Sequence, residues 1–212
     1  MLAMNPLEEY FLSNKGRAIS KWMHYFDIYH RHFQRFRNTP VTVLEIGVWE
    51  GGSLQMWKNY FGNQARIIGI DIDPKCKDFE EDNISIYIGS QDDALFLKHF
   101  KTCVPHIDIV IDDGGHMMHQ QKISFRELYN HVSENGVYLV EDLHTSYWKR
   151  YGGGYQHQDS FIEYAKLLID QLNAYHSEEK TKFDVNDFTQ STYSMCFYDS
   201  IIVFEKKRIS PP

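Results

Sequence analysis

The sequence predicts an α/β fold: a doubly wound, mostly parallel sheet with helices on both faces and a helical segment in front. Three observations predict it. Five short apolar runs alternate with helical patterns, which is how successive βαβ units read. Each run ends at a Gly or an acidic residue, the residue types that build turns and ligand contacts at the carboxyl ends of parallel strands. The last two apolar runs are separated by so few residues that only an antiparallel pair can join them.

The elements follow in order. Residues 19–36 carry Ile19, Trp22, Phe26, Tyr29, Phe33 and Phe36 at spacings of three and four, an amphipathic helix whose stripe must pack on the sheet or on a second copy. Pro40 closes it, because the residue before a proline avoids the helical region. Strands are expected at Val41–Ile46, Arg66–Ile70, Ile84–Ile88, Ile107–Ile111 and Val137–Val140. Helices are expected at 53–61, 92–100 and 124–132. An aromatic and Gly-rich loop, Tyr147 to Gln158, precedes a second amphipathic helix with Phe161, Tyr164, Leu168, Leu172 and Tyr175 on one face. Thr192–Tyr198 and Ile201–Glu205 form the closing hairpin around Asp199-Ser200. No repeat or linker interrupts the chain, so residues 1–212 read as a single domain: a helical segment over 1–40 and a core over 41–206.

Composition narrows the function. The net charge is −7, and no basic run is long enough to track a phosphate backbone, which argues against nucleic acid as substrate. Cys76, Cys103 and Cys196 are odd in number and widely spaced, so neither a disulfide frame nor a zinc site is indicated and a cytoplasmic location fits. The first ten residues hold Glu8 and Glu9 and lack the apolar stretch of a signal peptide. No apolar run has the length of a membrane span.

A ligand of such a sheet sits beyond the carboxyl ends of its strands. After the first strand comes Glu45-Ile46-Gly47-Val48-Trp49-Glu50-Gly51-Gly52-Ser53. Gly47 permits a sharp turn; Gly51 and Gly52 permit close backbone approach and a helix start. The Gly-x3-Gly-Gly spacing departs from the GxGxxG cradle that holds the pyrophosphate of NAD. Asp71, twenty-four residues after Gly47, can accept hydrogen bonds from both hydroxyls of a ribose. Gln91 or Asp92, after the third strand, can meet an adenine edge, and Asp112 ends the fourth strand near the remaining part of the cofactor.

The fourth and fifth strands end in Asp113 and in Glu141-Asp142. Three carboxylates gathered there would repel one another unless they took up protons or a cation. Oxygen ligands suit a hard ion such as Mg²⁺, which keeps water positions open for a substrate. His116, three residues past Asp113, can take a proton from a hydroxyl.

Four stretches carry a resemblance: Val-Leu-Glu-Ile-Gly-Val-x-x-Gly-Gly-Ser-Leu (43–54), Gly-Ile-Asp-Ile-Asp-Pro (69–74), Ile-Asp-Asp-Gly-Gly-His (111–116) and Glu-Asp-Leu-His-Thr-Ser-Tyr-Trp (141–148). They resemble the class I methyltransferases of the mycinamicin and macrocin sugar O-methyltransferase type, and the related cephalosporin hydroxylase-like family. The resemblance implies a Rossmann-like sheet in the order 3-2-1-4-5-7-6 with the last strand antiparallel, and S-adenosylmethionine as cofactor, bound by Glu45, Gly47, Gly51, Ser53, Asp71, Gln91, Asp92 and Asp112. It implies Mg²⁺ on Asp113, Glu141 and Asp142, and His116 as general base. The reaction implied is methyl transfer to a hydroxyl of a sugar or glycosylated small molecule. A hydroxylase-type tailoring enzyme, a catechol O-methyltransferase and a non-catalytic cofactor-binding module are the alternatives. Gly115 stands where many members have Ser, and only 40 residues precede the first strand, so the acceptor is not carried over.

Other residues have weaker claims. His144 is a candidate for the acceptor pocket, and His119 for the periphery of the site. Lys21, His24 and Tyr25 are candidates to close over the cofactor. His157 and Gly152–Gly154 are candidates for a lid, with Tyr151 and Tyr155 as its covering rings. The aromatic stripe of 19–36 is the candidate surface for a homo-oligomer.

Overall fold

A computed structural model describes residues 5–179 and 182–211. The first four residues of the N-terminal segment read above, Met1 to Met4, lie outside the described residues. The chain divides into two compact units, residues 1–90 and 91–212.

The first unit opens with helix α1 (Pro6–Ser13), which sequence periodicity did not reveal. Asn5 caps it by accepting from the Leu7 N–H, and Pro6 starts it, both ordinary helix-start devices. Helix α2 spans Tyr25–Phe33 and tightens into a 3-10 turn, Gln34–Phe36. It is shorter than the 19–36 helix expected from spacing. Residues 19–24 are not helical, because Lys21 is drawn inward to a buried carboxylate and Trp22 stays 46% exposed. The rest of the stripe is internal: Phe26, Tyr29 and Phe33 are buried. Tyr29 meets Trp57 edge-on with ring centroids 5.1 Å apart, and Phe33 lies 6.1 Å from Phe61. Aromatic pairs in such offset geometry add to the area they bury. The stripe therefore serves this unit's own core.

Strand β1 (Thr42–Ile46), helix α3 (Gly52–Phe61), strand β2 (Arg66–Asp71) and strand β3 (Ile84–Ile88) complete the first unit. A 3-10 segment, Pro74–Phe79, precedes β3. β1 pairs in parallel with β2, and β2 in parallel with β3. Val43, Leu44, Ile67 and Ile68 are all fully buried, the continuous apolar signature of a parallel sheet covered on both faces.

The second unit holds helix α4 (Ala94–Cys103), strand β4 (Ile107–Asp112), helix α5 (Met118–Leu128) and strand β5 (Val132–Val140). Then come helix α6 (Phe161–Leu172), the short helix α7 (Asp187–Ser191), and strands β6 (Thr192–Phe197) and β7 (Ile202–Lys206). β4 and β5 are parallel; β7 runs antiparallel to both β5 and β6. The order is β3-β2-β1 in the first unit and β4-β5-β7-β6 in the second. These are the two runs of the 3-2-1-4-5-7-6 order expected from the sequence. α5 begins six residues earlier than the helix expected at 124–132, and residues 129–131 form a 3-10 turn into β5. Helical spacing alone had carried that helix into the strand.

Phe125 centres this unit's core, with ring centroids 4.8 Å from Phe204 and 5.1 Å from Tyr138. At its edge, Lys206 is 6% exposed and its Nζ donates to the carbonyls of Tyr129 and Val132, each at 2.9 Å. Burial disfavours the ammonium and pulls its pKa down from 10.5 to about 8. Between those two values the unfolded chain holds the proton more tightly, so stability should rise with pH there and show no such rise below about 8. Thermal melts at pH 7.5 and 9.5 should show wild type gaining on Lys206→Met; an equal response of both would assign the dependence elsewhere.

Candidate active site

In the first unit the turn after β1 has the predicted shape. Gly47 and Gly51 take φ of 95° and 72°, values in the left-handed region that favours glycine. A Cβ on Gly52 would run into the carbonyl oxygens of Arg17 and Ala18, so the incoming N-terminal segment can lie against the start of α3 only with glycine there. Asp71, at the end of β2, organises this turn. Its Oδ2 accepts from the Val48 and Trp49 N–H groups at 2.8 and 3.1 Å, and its Oδ1 from the Asp73 N–H at 2.9 Å. A carboxylate offers about four acceptor positions, and three of them brace this turn.

Glu45 faces inward. Its carboxylate is wholly buried, with Oε1 3.2 Å from Lys21 Nζ and Oε2 accepting from Ser53 Oγ at 2.5 Å. The Lys21 ammonium also lies 5.9 Å from the Tyr29 ring centroid and 6.0 Å from that of Trp57. A buried charge needs both a partner and hydrogen bonds, and Glu45 has both. Sequence reading placed Lys21 with His24 and Tyr25 over the cofactor. The structure instead commits Lys21 to Glu45, buries Tyr25, and leaves His24 exposed against Trp22 and Tyr25.

In the second unit two of the residues read as cofactor contacts, Gln91 and Asp112, bond one another. Asp112 is completely buried. It accepts from Gln91 Nε2 at 2.9 Å, from Ser124 Oγ, and from Tyr138 Oη at 3.4 Å. Burial raises its pKa, and the Ser124 and Gln91 hydrogen bonds oppose that rise. The Gln91 carbonyl oxygen accepts from the Gly115 N–H at 2.7 Å. Gln91 thereby ties the end of β4 to the turn that carries His116. Ser124, on α5, was read only as the first residue of the helix expected at 124–132, and nothing in the sequence signalled its bond to Asp112. Asp92 pairs with His119 at 2.9 Å near the surface.

Asp113, His116 and Asp142 come together. One ligand atom from each lies within 4.8 Å of the others. His116 Nε2 is 3.9 Å from Asp113 Oδ1 and 3.6 Å from Asp142 Oδ2. Both His116 and Asp142 hold left-handed backbone, φ 56° and 55°. For a non-glycine residue that costs of order 1 kcal/mol, and such strain concentrates at functional sites. Asp113 and Asp142 would hold a hard cation such as Mg²⁺ through their carboxylate oxygens. Glu141, read with them from sequence, is 1% exposed and is not in that group. Its N–H donates to the Asp112 carbonyl and its carbonyl accepts from Gln121.

After Asp142 the chain makes two 3-10 turns, Leu143–Tyr147 and Lys149–Tyr151. Tyr147 and Trp148 are 54% and 40% exposed. The Arg150 guanidinium stacks 4.6 Å from the Trp148 ring centroid and 5.2 Å from that of Tyr151. Gly153 packs where a Cβ would strike the Ser146 carbonyl, and Gly152 ends the second turn in the left-handed region. Tyr155 is 82% exposed.

No family model matches the chain. Over 77% of its length it is 41% identical to the 8-demethyl-8-(2-methoxy-alpha-L-rhamnosyl)-tetracenomycin-C 3'-O-methyltransferase of Streptomyces olivaceus, covering 44% of that protein. Over 80% of its length it is 42% identical to the demethylmacrocin O-methyltransferase of Streptomyces fradiae, again covering 44%. The MycE methyltransferase of the mycinamycin pathway, solved with Mg and SAH, superposes with a TM-score of 0.84 at 32% identity, over 96% of this chain and 54% of that one. The chain thus spans about half the length of the relatives it matches. By sequence it is similar to these O-methyltransferases, and it has the Rossmann-like fold of the MycE methyltransferase.

Proposed function

We propose that the protein transfers a methyl group from S-adenosylmethionine to a hydroxyl of a sugar, free or in a glycosylated small molecule, with Mg²⁺ in the site. The observation that carries this reading is the Asp113, His116 and Asp142 cluster, held on strained backbone, in a chain whose relatives are named as sugar O-methyltransferases. We read residues 1–212 as one methyltransferase domain, with 1–40 as its helical segment and 41–206 as its core.

The cofactor set is Glu45, Gly47, Gly51, Ser53 and Asp71 in the first unit and Gln91, Asp92 and Asp112 in the second. The metal set is Asp113, Glu141 and Asp142. Geometry supports Asp113 and Asp142 directly, while Glu141 rests on its place in the shared motif. Mg²⁺ bound there would supply positive charge that makes the acceptor hydroxyl more acidic. His116 receives the hydroxyl proton at Nε2 as the oxygen–methyl bond forms and the methyl–sulfur bond breaks. The protein otherwise contributes alignment of oxygen, carbon and sulfur.

A net charge of −7 supports a small-molecule acceptor rather than a nucleic acid. No helix among the described residues is long and apolar enough to cross a membrane. We place the chain in the cytoplasm, which the free Cys76, Cys103 and Cys196 suit. Any homo-oligomer must use a surface other than the α2 stripe, since that stripe is internal.

Calorimetric titration with S-adenosylhomocysteine tests the cofactor assignment. Saturable micromolar binding is expected, weakened by at least about tenfold in Asp71→Ala, which loses both a ligand acceptor and the brace on the turn. A folded protein that binds nothing would end the methyltransferase reading.

A further inference from the structure

His144 lies two residues past Asp142, in the first 3-10 turn. Its ring is stacked edge-on against Trp148, with centroids 4.6 Å apart. On its other side stands Ser200, in the turn between β6 and β7, 8% exposed and with φ 65°. The Ser200 carbonyl accepts from the Leu143 N–H at 2.9 Å. Its hydroxyl oxygen accepts from the His144 N–H at 3.2 Å and lies 2.7 Å from His144 Nδ1.

These contacts select a tautomer. The hydroxyl accepts from the His144 N–H, and its single proton needs an acceptor, which Nδ1 supplies at 2.7 Å. A ring nitrogen that accepts carries no proton, so the neutral imidazole holds its proton on Nε2. Trp148, whose ring meets that of His144, is partly exposed, and Arg150 stacks on it. Apolar ring faces with a few placed polar groups are the usual lining of a small-molecule pocket.

We infer that His144 is a specificity-determining residue of the acceptor site: Ser200 fixes it as the Nε2–H tautomer, and that N–H donates to a hydroxyl or ether oxygen of the sugar next to the reacting hydroxyl. The acceptor contact rests on the methyl-transfer reading; the tautomer does not. Ser200 is a positioning residue, acting only through His144.

Nitrogen-15 long-range correlation spectra of the labelled full chain at pH 8, with His144 assigned by its absence in His144→Gln, read the tautomer directly. A protonated Nε2 and an unprotonated Nδ1 are expected, with a mixed signature in Ser200→Gly, a substitution that relaxes the positive φ. A protonated Nδ1 in the wild type overturns the assignment. The contact is read with mycinamicin VI and 8-demethyl-8-alpha-L-rhamnosyl tetracenomycin C as acceptor probes. His144→Phe, which keeps the ring stack, should raise the acceptor KM about tenfold with kcat within about twofold. His144→Gln, whose amide N–H reaches the same position, should recover most of that loss. An unchanged KM in His144→Phe overturns the contact. A wild-type protein that binds S-adenosylhomocysteine but methylates neither probe counts against both the sugar reading and the contact, while the nitrogen shifts still decide the tautomer.

Discussion

Stripping divalent cations with EDTA should take methyl transfer to background, and Mg²⁺ in excess should restore it. The expectation rests on Asp113 and Asp142, brought within ligand distance of each other and of His116. Without a cation, two carboxylates at this separation repel one another. Mg²⁺ held there by Asp113 and Asp142 would offset that repulsion and would make the acceptor hydroxyl more acidic, with His116 as the base for its proton. Asp142→Asn should show the same loss with S-adenosylhomocysteine affinity intact, since the cofactor residues lie elsewhere. Full turnover in EDTA would remove the metal from the reaction and leave the acids as electrostatic partners of His116 alone.

Replacing His116 by Ala should lower kcat by at least ~100-fold, the scale of a lost general base. Left-handed backbone at this position makes Ala a strained substitute, so a melting curve must accompany the kinetics. His116→Asn is the better-behaved companion, because Asn tolerates that conformation yet cannot accept a proton near neutral pH. A fall in kcat in both variants, with S-adenosylhomocysteine binding unchanged, identifies a residue acting on the acceptor proton. Near-normal turnover in His116→Asn would limit His116 to holding the carboxylates together.

How much of this was legible in the sequence depends on the range of the interaction. β1 to β4 were legible because a strand covered on both faces needs an unbroken apolar run, and because Gly47, Asp71, Gly89 and Asp112 punctuate their ends. The gathering of Asp113 and Asp142 followed from motif position alone. What stayed hidden depends on partners distant in the chain. Nothing near Lys21 announces that Glu45 will pull it out of a helix, and Trp22 was counted as core for the same reason. The bonds that Asp112 makes to Gln91, Ser124 and Tyr138 were hidden because Ser124 and Tyr138 arrive from later elements. Ser200 had a signal, the tight hairpin, but a turn residue carries no hint of the histidine 56 positions earlier that it holds.

The buried Lys21–Glu45 pair constrains how this sequence can diverge. Losing one charge of a buried pair strands the other, at about 3–5 kcal/mol, whereas exchanging both for well-fitting apolar residues is close to neutral. Single substitutions at either position thus lead into a fitness valley, and the two sites should drift as a unit. Ser53, which hydrogen-bonds the same carboxylate, belongs to that unit too. Among homologues, these three positions should therefore covary, and a chain carrying an apolar residue at position 45 should also lack the lysine at 21.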